Sequence, residues 1–506
     1  MNTPLRRVGL VMLAMVVLLL ANTTYIQLVK ADDYRNDPRN QRVLYEEYAR
    51  QRGRIITADE KIIANVKATD DRLQYQRTYA NGPLYAPVTG FYSVRYGATG
   101  LERTEDEILN GSDDRLFVRR LSDLVTGRDP RGGNIVTTID SRVQTAAYEA
   151  MTRNGFKGAV VAIKPDDGQI LAMVSTPSFD PTGLASHDPD VQEQTYNKYR
   201  DENNPDKPML NRAISENYTP GSTFKLVTAA AALEDGRDSD TQLMAAPGID
   251  VLTGEPCDPS GGSTRCMSNY NSNPCGSGET ASLATAIELS CNTAFAQLAG
   301  ELGEDKLTEQ AARFGMGQTD LTIPLSVVPS CLGSRADGNC MEIGDEAALY
   351  QSGIGQKDVR LTALRNAAIA ATIANDGVRM HPQLVQKVLA PDLETISDYD
   401  AEEVGEAMSA DNADELTQMM ILSEDNTGGE GKRDDIEIAS KTGTAEVGTD
   451  PKNTPPFAWY VAFAPADDPQ VAVAVVVESR DVAATGGKLS AAIGRATMNA
   501  ALAGGN

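Results

Sequence analysis

The stretch Gly158–Val174, GAVVAIKPDDGQILAMV, contains two apolar runs of strand length on either side of an Asp-Asp-Gly turn. This pattern predicts a β-hairpin. Three further runs of strand character lie near the C-terminus: Glu437–Thr444, Trp459–Ala464 and Val471–Val477. Alanine-rich segments of helical character, such as Phe224–Leu233, separate the two groups of strands. Strands at both ends of a helical middle predict an α+β domain whose sheet brings the two ends together.

The composition narrows the possible functions. The 506 residues carry 71 acidic and 46 basic side chains, and the formal net charge of −25 disfavours nucleic acid as a partner. Only two histidines occur, His187 and His381, and neither lies in a pattern typical of a catalytic triad or a metal site. We therefore expect no metal, no cofactor and a catalytic base other than histidine.

The first 30 residues predict a membrane anchor. Arg6 and Arg7 precede Val8–Leu28, a predominantly apolar run of 21 residues that is long enough to cross a bilayer as a helix. The arginines ahead of this run predict a cytoplasmic N-terminus and an exported body. A cleaved signal peptide is the alternative, but Ala21-Asn22-Thr23 is a poor cleavage site, so we expect an uncleaved, single-pass anchor.

The six cysteines fit an exported protein. Their even number and their clustering in loops favour disulfides in an oxidising compartment. Closure of short loops favours Cys257–Cys266 and Cys331–Cys340, which leaves Cys275–Cys291 as the third pair. Other pairings remain possible from the sequence. Zinc binding is disfavoured because no C-x-x-C pair occurs.

Turn-rich segments divide the rest of the chain. Residues 31–133 begin with a polar, helix-compatible stretch to about residue 55, continue with short apolar runs and turn residues, and end at the turn cluster Asp129–Gly133. A second body opens with the strand-like run Asn134–Asp140. We therefore predict an anchor at 1–30, a strand-rich non-catalytic module at 31–133 and a second domain at 134–506.

The segment Thr219–Lys225, TPGSTFK, opens an alanine-rich helix and carries the first chemical motif. Ser222 stands at the helix start and Lys225 follows three residues later on the same helix face. If the site lowers the pKa of the lysine, its neutral amine can accept the proton of Ser222 during attack on a carbonyl. By itself, S-x-x-K also fits an N-capping serine followed by a solvated lysine.

Two more motifs follow. Ser290-Cys291-Asn292 lies between helix-like segments at Leu283–Leu289 and Thr293–Leu302, where a simple capping turn is the alternative. Lys441-Thr442-Gly443-Thr444 closes an apolar strand. Its glycine would let a bound substrate approach the backbone, and its hydroxyls and ammonium suit a carboxylate.

In this order, the S-x-x-K, S-x-N and K-T-G motifs together resemble the active-site signature of penicillin-binding proteins and serine β-lactamases. The anchor, the stretch Arg52-Gly53-x-Ile55, the turn Gly353–Gln356 and the run Trp459–Pro465 are similar to class B penicillin-binding proteins, especially their actinobacterial A branch. The resemblance extends over most of the chain. It implies a transpeptidase domain with an antiparallel sheet flanked by helices and an N-terminal module of pedestal or dimerisation type. About 100 residues between anchor and second domain are too few for a glycosyltransferase domain, which implies a monofunctional enzyme.

The resemblance also implies roles for the motif residues. Ser222 would form an acyl-enzyme with the penultimate D-alanine of a stem peptide, Lys225 would be its base, and Ser290 would pass a proton to the leaving amine. The remaining motif residues would bind substrate: Asn292, Lys441, Thr442, Gly443 and Thr444. A cysteine nucleophile at Cys291 is disfavoured because no suitable histidine partner is apparent.

The same resemblance implies peptidoglycan stem peptides and a lipid-linked precursor as substrates, β-lactams as covalent inhibitors, and a glycosyltransferase partner in the membrane. A D,D-carboxypeptidase or a β-lactamase of the same superfamily is one alternative, because the motifs do not decide between water and an amine as the acceptor. A catalytically silent β-lactam sensor or scaffold is the other alternative.

Overall fold

The computed structural model describes residues 2–30, 48–117, 131–336, 339–448, 450 and 453–504. An N-terminal helix covers Asn2–Leu28, and its segment Arg6–Gln27 is long and apolar enough to cross a membrane. Most of the polar stretch predicted to be helix-compatible after the anchor, 31–47, lies outside the described residues. The first two residues of the turn cluster Asp129–Gly133 also lie outside them.

The body combines helices with two main sheets. Its α-helices are Gly82–Thr89, Gly100–Thr104, Asp106–Leu109, Ser141–Thr152, Pro189–Arg200, Lys225–Glu234, Leu283–Glu288, Asn292–Arg313, Glu346–Ser352, Ala363–Ala374, Ala410–Asp425, Gly486–Leu489 and Ala491–Leu502. Short strand pairs outside the main sheets are Tyr92–Ser93 with Gly97–Ala98, Gln242–Met244 with Thr280–Ser282, Gly248–Asp250 with Cys266–Ser268, Arg335–Ala336 with Asn339–Cys340, and Val378–Met380 with Glu403–Glu406.

A five-stranded antiparallel sheet forms the centre of the second domain. Its spatial order is Ala439–Ala445, Phe457–Ala464, Val471–Glu478, Lys157–Ile163 and Ile170–Thr176. All five strands predicted from the sequence are present, and the sheet joins the two ends of the domain. The predicted α+β class is confirmed.

Both faces of this sheet are covered. Along Val471–Val477, the odd-numbered residues pack in one hydrophobic core and the even-numbered residues pack in another. The first core lies under helices Ser141–Thr152 and Ala491–Leu502. The second contains helices Lys225–Glu234 and Ala363–Ala374. This double burial explains why the strand consists of Val and Ala without polar alternation.

A six-stranded mixed sheet connects the N-terminal module to the second domain. Its order is Thr395–Asp398, Val385–Leu389, Asn134–Thr137, Ile55–Ile56, Ile62–Ala68 and Tyr75–Tyr79. Strand Asn134–Thr137 pairs in parallel with Ile55–Ile56 and antiparallel with Val385–Leu389. The predicted boundary after residue 133 therefore falls just before a strand that both regions share, and the domain ranges remain predictions.

Buried ion pairs hold the module together around Arg52. The Glu102 carboxylate accepts hydrogen bonds from Arg52 Nε at 2.7 Å and from Arg77 Nε at 2.5 Å. The adjacent Gly53 has no room for a side chain, because a Cβ there would overlap the carbonyl of Gly133. The Arg52-Gly53 stretch is thus a structural element, remote in sequence from the three motifs.

Candidate active site

The nucleophile turn, defined here as Thr219–Phe224, positions Ser222. Gly221 has φ of +56°, a conformation that favours glycine, and its N–H donates to the carbonyl of Gly355 at 2.9 Å. Residues Gly221–Phe224 form a 3₁₀ turn, and the α-helix begins at Lys225 rather than at Ser222. Ser222 is partly exposed, so a bound molecule can reach this position.

Lys225 is fully buried and faces the S-x-N motif. Its Nζ donates to Ser290 O at 2.7 Å, to Ser290 Oγ at 3.3 Å and to Asn292 Oδ1 at 2.8 Å. All three acceptors are neutral. Burial, together with the nearby positive charge of Lys441, lowers the pKa of Lys225 well below its ordinary value. A neutral amine, the form that can accept a proton from Ser222, is therefore accessible.

Ser290 has a strained backbone. Its φ of +57° lies in the left-handed region, which costs a non-glycine residue on the order of 1–3 kcal/mol. The helix Leu283–Glu288 ends just before it, the helix Asn292–Arg313 begins two residues after it, and Cys291 is bonded to Cys275. The disulfide and these helices hold Ser290 Oγ toward the Lys225 amine.

Asn292 is fixed by Lys225 on one side and by Ser268 and Asn269 on the other. Its Oδ1 accepts from Lys225, and its Nδ2 donates to Ser268 O at 2.9 Å. Asn269 Oδ1 accepts from the backbone N–H of Asn292 at 2.7 Å and of Thr293 at 3.0 Å. Cys291, the N-cap residue, makes no side-chain cap, so Asn269 replaces it from another part of the chain. Sequence reasoning missed Asn269, because a polar residue in an Asn- and Ser-rich loop carries no local signal for such a contact.

The K-T-G motif lies on an edge strand beside the nucleophile turn. Lys441 is buried, its Nζ donates to Thr442 O at 3.3 Å, and burial lowers its pKa to about 7. Thr442 and Thr444 are partly exposed, and Thr444 Oγ1 accepts from Gly486 N at 3.3 Å. The strand Ala439–Ala445 pairs only with Phe457–Ala464 among the described strands, so its other edge is open. An extended peptide can add to such an edge.

The structure shows a packing constraint on Gly443, and the substrate approach expected from the sequence stays a prediction. A Cβ at Gly443 would lie 2.7 Å from Pro220 O and 3.0 Å from Thr223 Cγ2. The two nearest of these atoms belong to the nucleophile turn. Trp459 Nε1 adds a hydrogen bond to Thr219 O at 2.9 Å. Gly443 therefore sets the distance between the turn that carries Ser222 and the strand that carries Lys441.

A buried network lies behind the same strand. Glu424 accepts from Ser440 Oγ at 2.5 Å, from Tyr460 OH at 3.0 Å and from Arg495 Nε at 2.8 Å. Ser440 immediately precedes Lys441, so the network ties the motif strand to two helices. Sequence reasoning did not single out Glu424 or Arg495, whose pairing spans 71 residues of chain.

The remaining candidates lie apart from these motifs. The structure contains the disulfides Cys257–Cys266 and Cys331–Cys340, which loop closure favoured, and Cys275–Cys291, the pair that remained. His187 contacts Asp71 Oδ2 at 2.5 Å and His381 contacts Thr322 O at 3.0 Å. Neither histidine contacts a motif residue among the described parts of the chain.

Comparison with known proteins agrees with this geometry. The model of the penicillin-binding protein transpeptidase domain matches residues 158–499, and that of the penicillin-binding protein A dimerisation domain matches residues 52–135. The peptidoglycan D,D-transpeptidase PbpA of Mycolicibacterium smegmatis is 53% identical over 508 residues, which cover 99% of each chain. Its Mycobacterium tuberculosis counterpart is 51% identical over 509 residues and 100% of both chains.

A solved structure supports the same relationship. The ceftriaxone acyl-enzyme complex of penicillin-binding protein A from M. tuberculosis has a TM-score of 0.84 and 50% sequence identity. The match covers 90% of this chain and all of that one. With the three motifs gathered in one site, these matches confirm the resemblance seen in the sequence: the chain belongs to the penicillin-binding protein transpeptidase family.

Proposed function

We propose that this chain is a peptidoglycan D,D-transpeptidase in which Ser222 is the nucleophile and Lys225 is its base. The observation that carries these roles is the buried Lys225 amine, which has only neutral oxygen partners in the S-x-N motif and follows Ser222 by three residues. The chain is a serine-type D-Ala-D-Ala acyltransferase that β-lactams inhibit covalently. Its relatives carry the corresponding name, and a relative's structure is a β-lactam acyl-enzyme.

In the acylation step, Ser222 Oγ attacks the carbonyl carbon of the penultimate D-alanine. The hydroxyl proton passes to the neutral Nζ of Lys225, whose lowered pKa makes this form available. The backbone N–H groups of Ser222 and Thr444 stabilise the oxyanion, a contribution of about 3 kcal/mol per donor.

Collapse of the tetrahedral intermediate needs a proton on the leaving amine. Ser290 Oγ, 3.3 Å from Lys225 Nζ, donates its proton to the leaving nitrogen and regains one from the lysine. The C–N bond breaks, the terminal D-alanine leaves as a neutral amine, and the acyl group stays on Ser222. The amine of a second stem peptide then attacks the ester, which makes the cross-link and restores the serine.

Substrate binding uses the open edge of the K-T-G strand. The Thr442 and Thr444 hydroxyls bind the terminal carboxylate and Lys441 supplies positive potential. Asn292 has one Nδ2 hydrogen bond to Ser268 O, and its second N–H serves the peptide carbonyl of the substrate. Gly443 keeps the nucleophile turn at the distance that this binding requires.

The architecture suits work at a membrane surface. The helix Asn2–Leu28 anchors the chain in a single pass, with Arg6 and Arg7 on the cytoplasmic side and the transpeptidase domain outside. The lipid-linked precursor is polymerised by a separate glycosyltransferase in the same membrane, and residues 31–133 form the non-catalytic pedestal between anchor and catalytic domain. N-terminal sequencing of the mature protein tests the anchor, because a start near Asn22 would identify a cleaved signal peptide.

Labelling with a fluorescent penicillin tests the site. We expect a stable 1:1 adduct on the wild-type chain and none on Ser222→Ala, with the adduct located by peptide mass spectrometry. Ser215→Ala, an exposed serine close in sequence, is the matched control and should label normally. Rapid turnover of the adduct would indicate a β-lactamase, and absence of labelling would indicate a silent scaffold.

A cross-linking assay tests the acceptor. Native protein, a partner glycosyltransferase and lipid-linked precursor should give dimeric stem peptides, whereas Ser222→Ala should give uncross-linked glycan. Release of D-alanine without dimers would identify a carboxypeptidase.

A further inference from the structure

With one exception, each buried arginine in the described chain is paired with a carboxylate. Five arginines of the described chain are at most 5% exposed: Arg52, Arg77, Arg212, Arg365 and Arg495. Four of them have a carboxylate within 3.1 Å, supplied by Glu102, Glu478 or Glu424. Arg365 has no carboxylate partner among the described residues, although acidic side chains outnumber basic ones by 71 to 46. A buried charge without a counterion costs several kcal/mol, so this exception needs a cause.

The neighbour of Arg365 is a second arginine. A Cβ on Gly315 would lie 2.2 Å from Arg365 Nη1 and 2.3 Å from Arg379 Nη1, so the two guanidinium groups meet over this glycine. Gly315 has φ of +81° and follows the C-terminus of helix Asn292–Arg313. Arg379 also has no ion-pair partner in the described chain, and its Nε is buried with no hydrogen bond.

The hydrogen bonds of the pair are to neutral acceptors. Arg365 donates to Phe314 O and to Gln318 Oε1, both at 3.2 Å, and Arg379 Nη2 donates to Val404 O at 3.4 Å. Glu403 and Glu406 lie on the strand paired with Arg379, and both are exposed and make no ion pair with it in the described residues. Burial and the positive Arg379 lower the pKa of Arg365 to about 9, which leaves it protonated at neutral pH.

Helix capping accounts for part of this charge only. The C-terminus of a helix carries roughly half a negative charge, and Phe314 O belongs to that end of helix Asn292–Arg313. Two guanidinium groups carry two positive charges, so more than one charge is left uncompensated. An unpaired Nε, two adjacent cations and an absent carboxylate together describe a site for an anion that the chain does not supply.

We propose that Arg365 and Arg379 bind an oxyanion of the phosphate class. The planar donors of arginine match phosphate oxygens, and a dianion neutralises two guanidinium groups where a monocarboxylate would not. An anion would reach the site from the side of Arg379, which is partly exposed, and would contact the buried Arg365 at its inner end. The same chemistry fits free phosphate and a phosphomonoester on a larger molecule.

Equilibrium dialysis of the full chain in non-ionic detergent with radioactive inorganic phosphate tests the site. Prior acylation with penicillin blocks binding at Lys441. We expect one phosphate per chain for wild type and at least about tenfold weaker binding for Arg379→Gln, since one lost charge-assisted bond is worth that factor. Arg360→Gln removes an arginine five residues before Arg365 whose side chain, within the described residues, bonds to backbone carbonyls alone, and this variant should bind as wild type does. Arg379→Lys keeps the charge without the planar donors and should be intermediate.

The competing outcomes are distinct. Equal binding by wild type and Arg379→Gln, or no bound phosphate on wild type, would overturn the site. Competition by acetate as strong as by sulfate would overturn its assignment to a dianion. Phenyl phosphate distinguishes the sources, because its binding supports a phosphomonoester on a larger molecule and its exclusion supports the free ion. Failure of penicillin to acylate the chain would bear on the proposed function, while the comparison of the arginine variants would still decide this site.

Discussion

Asn269 offers a sharp test of how the site is held together. The residue lies in a loop, is 7% exposed, and supplies the cap that helix Asn292–Arg313 lacks at Cys291. Its Oδ1 also accepts from Thr293 Oγ1 at 3.2 Å, and its Nδ2 donates to Ala246 O at 3.2 Å and to Asn273 O at 3.0 Å. We predict that Asn269→Ala impairs acylation although Asn269 touches neither Ser222 nor Lys225.

The magnitude follows from these contacts. Loss of an N-capping side chain costs about 1 kcal/mol, and each buried group left unpaired costs about 1–3 kcal/mol. The N–H groups of Asn292 and Thr293 lose their acceptor, whereas Ala246 O keeps the Thr293 hydroxyl as a donor and the exposed Asn273 can bond to water. For the two N–H groups we expect a loss of roughly 2–6 kcal/mol in the free energy of unfolding. Displacement of Asn292 by about 1 Å also moves the acceptor of the Lys225 amine, and misplacement of this size slows a reaction by up to about 100-fold.

Stopped-flow acylation with a chromogenic cephalosporin measures this effect at 15 °C, where the variant remains folded. We expect the acylation rate constant of Asn269→Ala to fall by about 10- to 100-fold. Asn269→Asp keeps an acceptor for the helix but turns a carboxylate toward two carbonyls, so its rate should be intermediate. Asn273→Ala is the matched control, because the Asn273 side chain is exposed and only its backbone carbonyl contacts Asn269. A normal rate in Asn269→Ala, with a lowered melting temperature, would reduce Asn269 to a stabilising residue and refute its positioning role.

Three further outcomes follow from the structure. The acylation rate at saturating penicillin should rise with pH through the lowered pKa of Lys225. Lys441→Met removes a neighbouring positive charge, so it should raise the pKa of Lys225 and move this rise to higher pH. An unmoved pH profile would contradict the electrostatic coupling of the two lysines. Gly443→Ala should slow acylation more than tenfold because its Cβ meets Pro220 O at 2.7 Å, whereas Gly487→Ala has ordinary contacts and should acylate as wild type does. Thiol titration of the denatured, unreduced chain should find no free thiol. Opening the loop of Cys275–Cys291, whose cysteines are 16 residues apart, should cost about 3 kcal/mol in stability, measured by urea unfolding of wild type and of the double variant Cys275→Ser, Cys291→Ser, which leaves the other two disulfides intact.

Local patterns were enough to predict the central sheet. The Val/Ala composition of Val471–Val477 indicates a strand buried on both faces. Each motif also lies next to a local structural signal, either a turn glycine or the start of a helix. The six-stranded sheet was not predicted, because Ile55–Ile56 is only two residues long and its partners Asn134–Thr137 and Val385–Leu389 are distant in sequence. Pairings of this kind depend on tertiary packing and leave no periodicity in the chain.

The roles of single residues also divide into those that local sequence patterns indicate and those that depend on tertiary contacts. Ser222, Lys225, Ser290 and Lys441 could be selected because their three motifs, in this order, resemble the signature of a known family, although each motif alone is weak. The reason for Gly443 could not be found, since the atom that excludes its side chain is Pro220 O, more than 200 residues away in sequence. Residues that act by supporting others, such as Asn269, are identified only when their partners are in place.

Charge pairing separates the structural cations from the functional ones. Arg52, Arg77, Arg212 and Arg495 are buried against carboxylates, so their charges are paired within the fold. Lys225 and Lys441 are equally buried, but their hydrogen-bond partners in the described chain are neutral oxygens. A carboxylate beside Lys225 would hold it as an ammonium and remove the proposed base. A carboxylate beside Lys441 would cancel the positive potential that we propose for binding a substrate carboxylate. In a chain with a net charge of −25, the absence of carboxylate partners at these lysines in the described residues therefore supports their proposed roles, and the same reasoning supports the proposed anion site at Arg365 and Arg379.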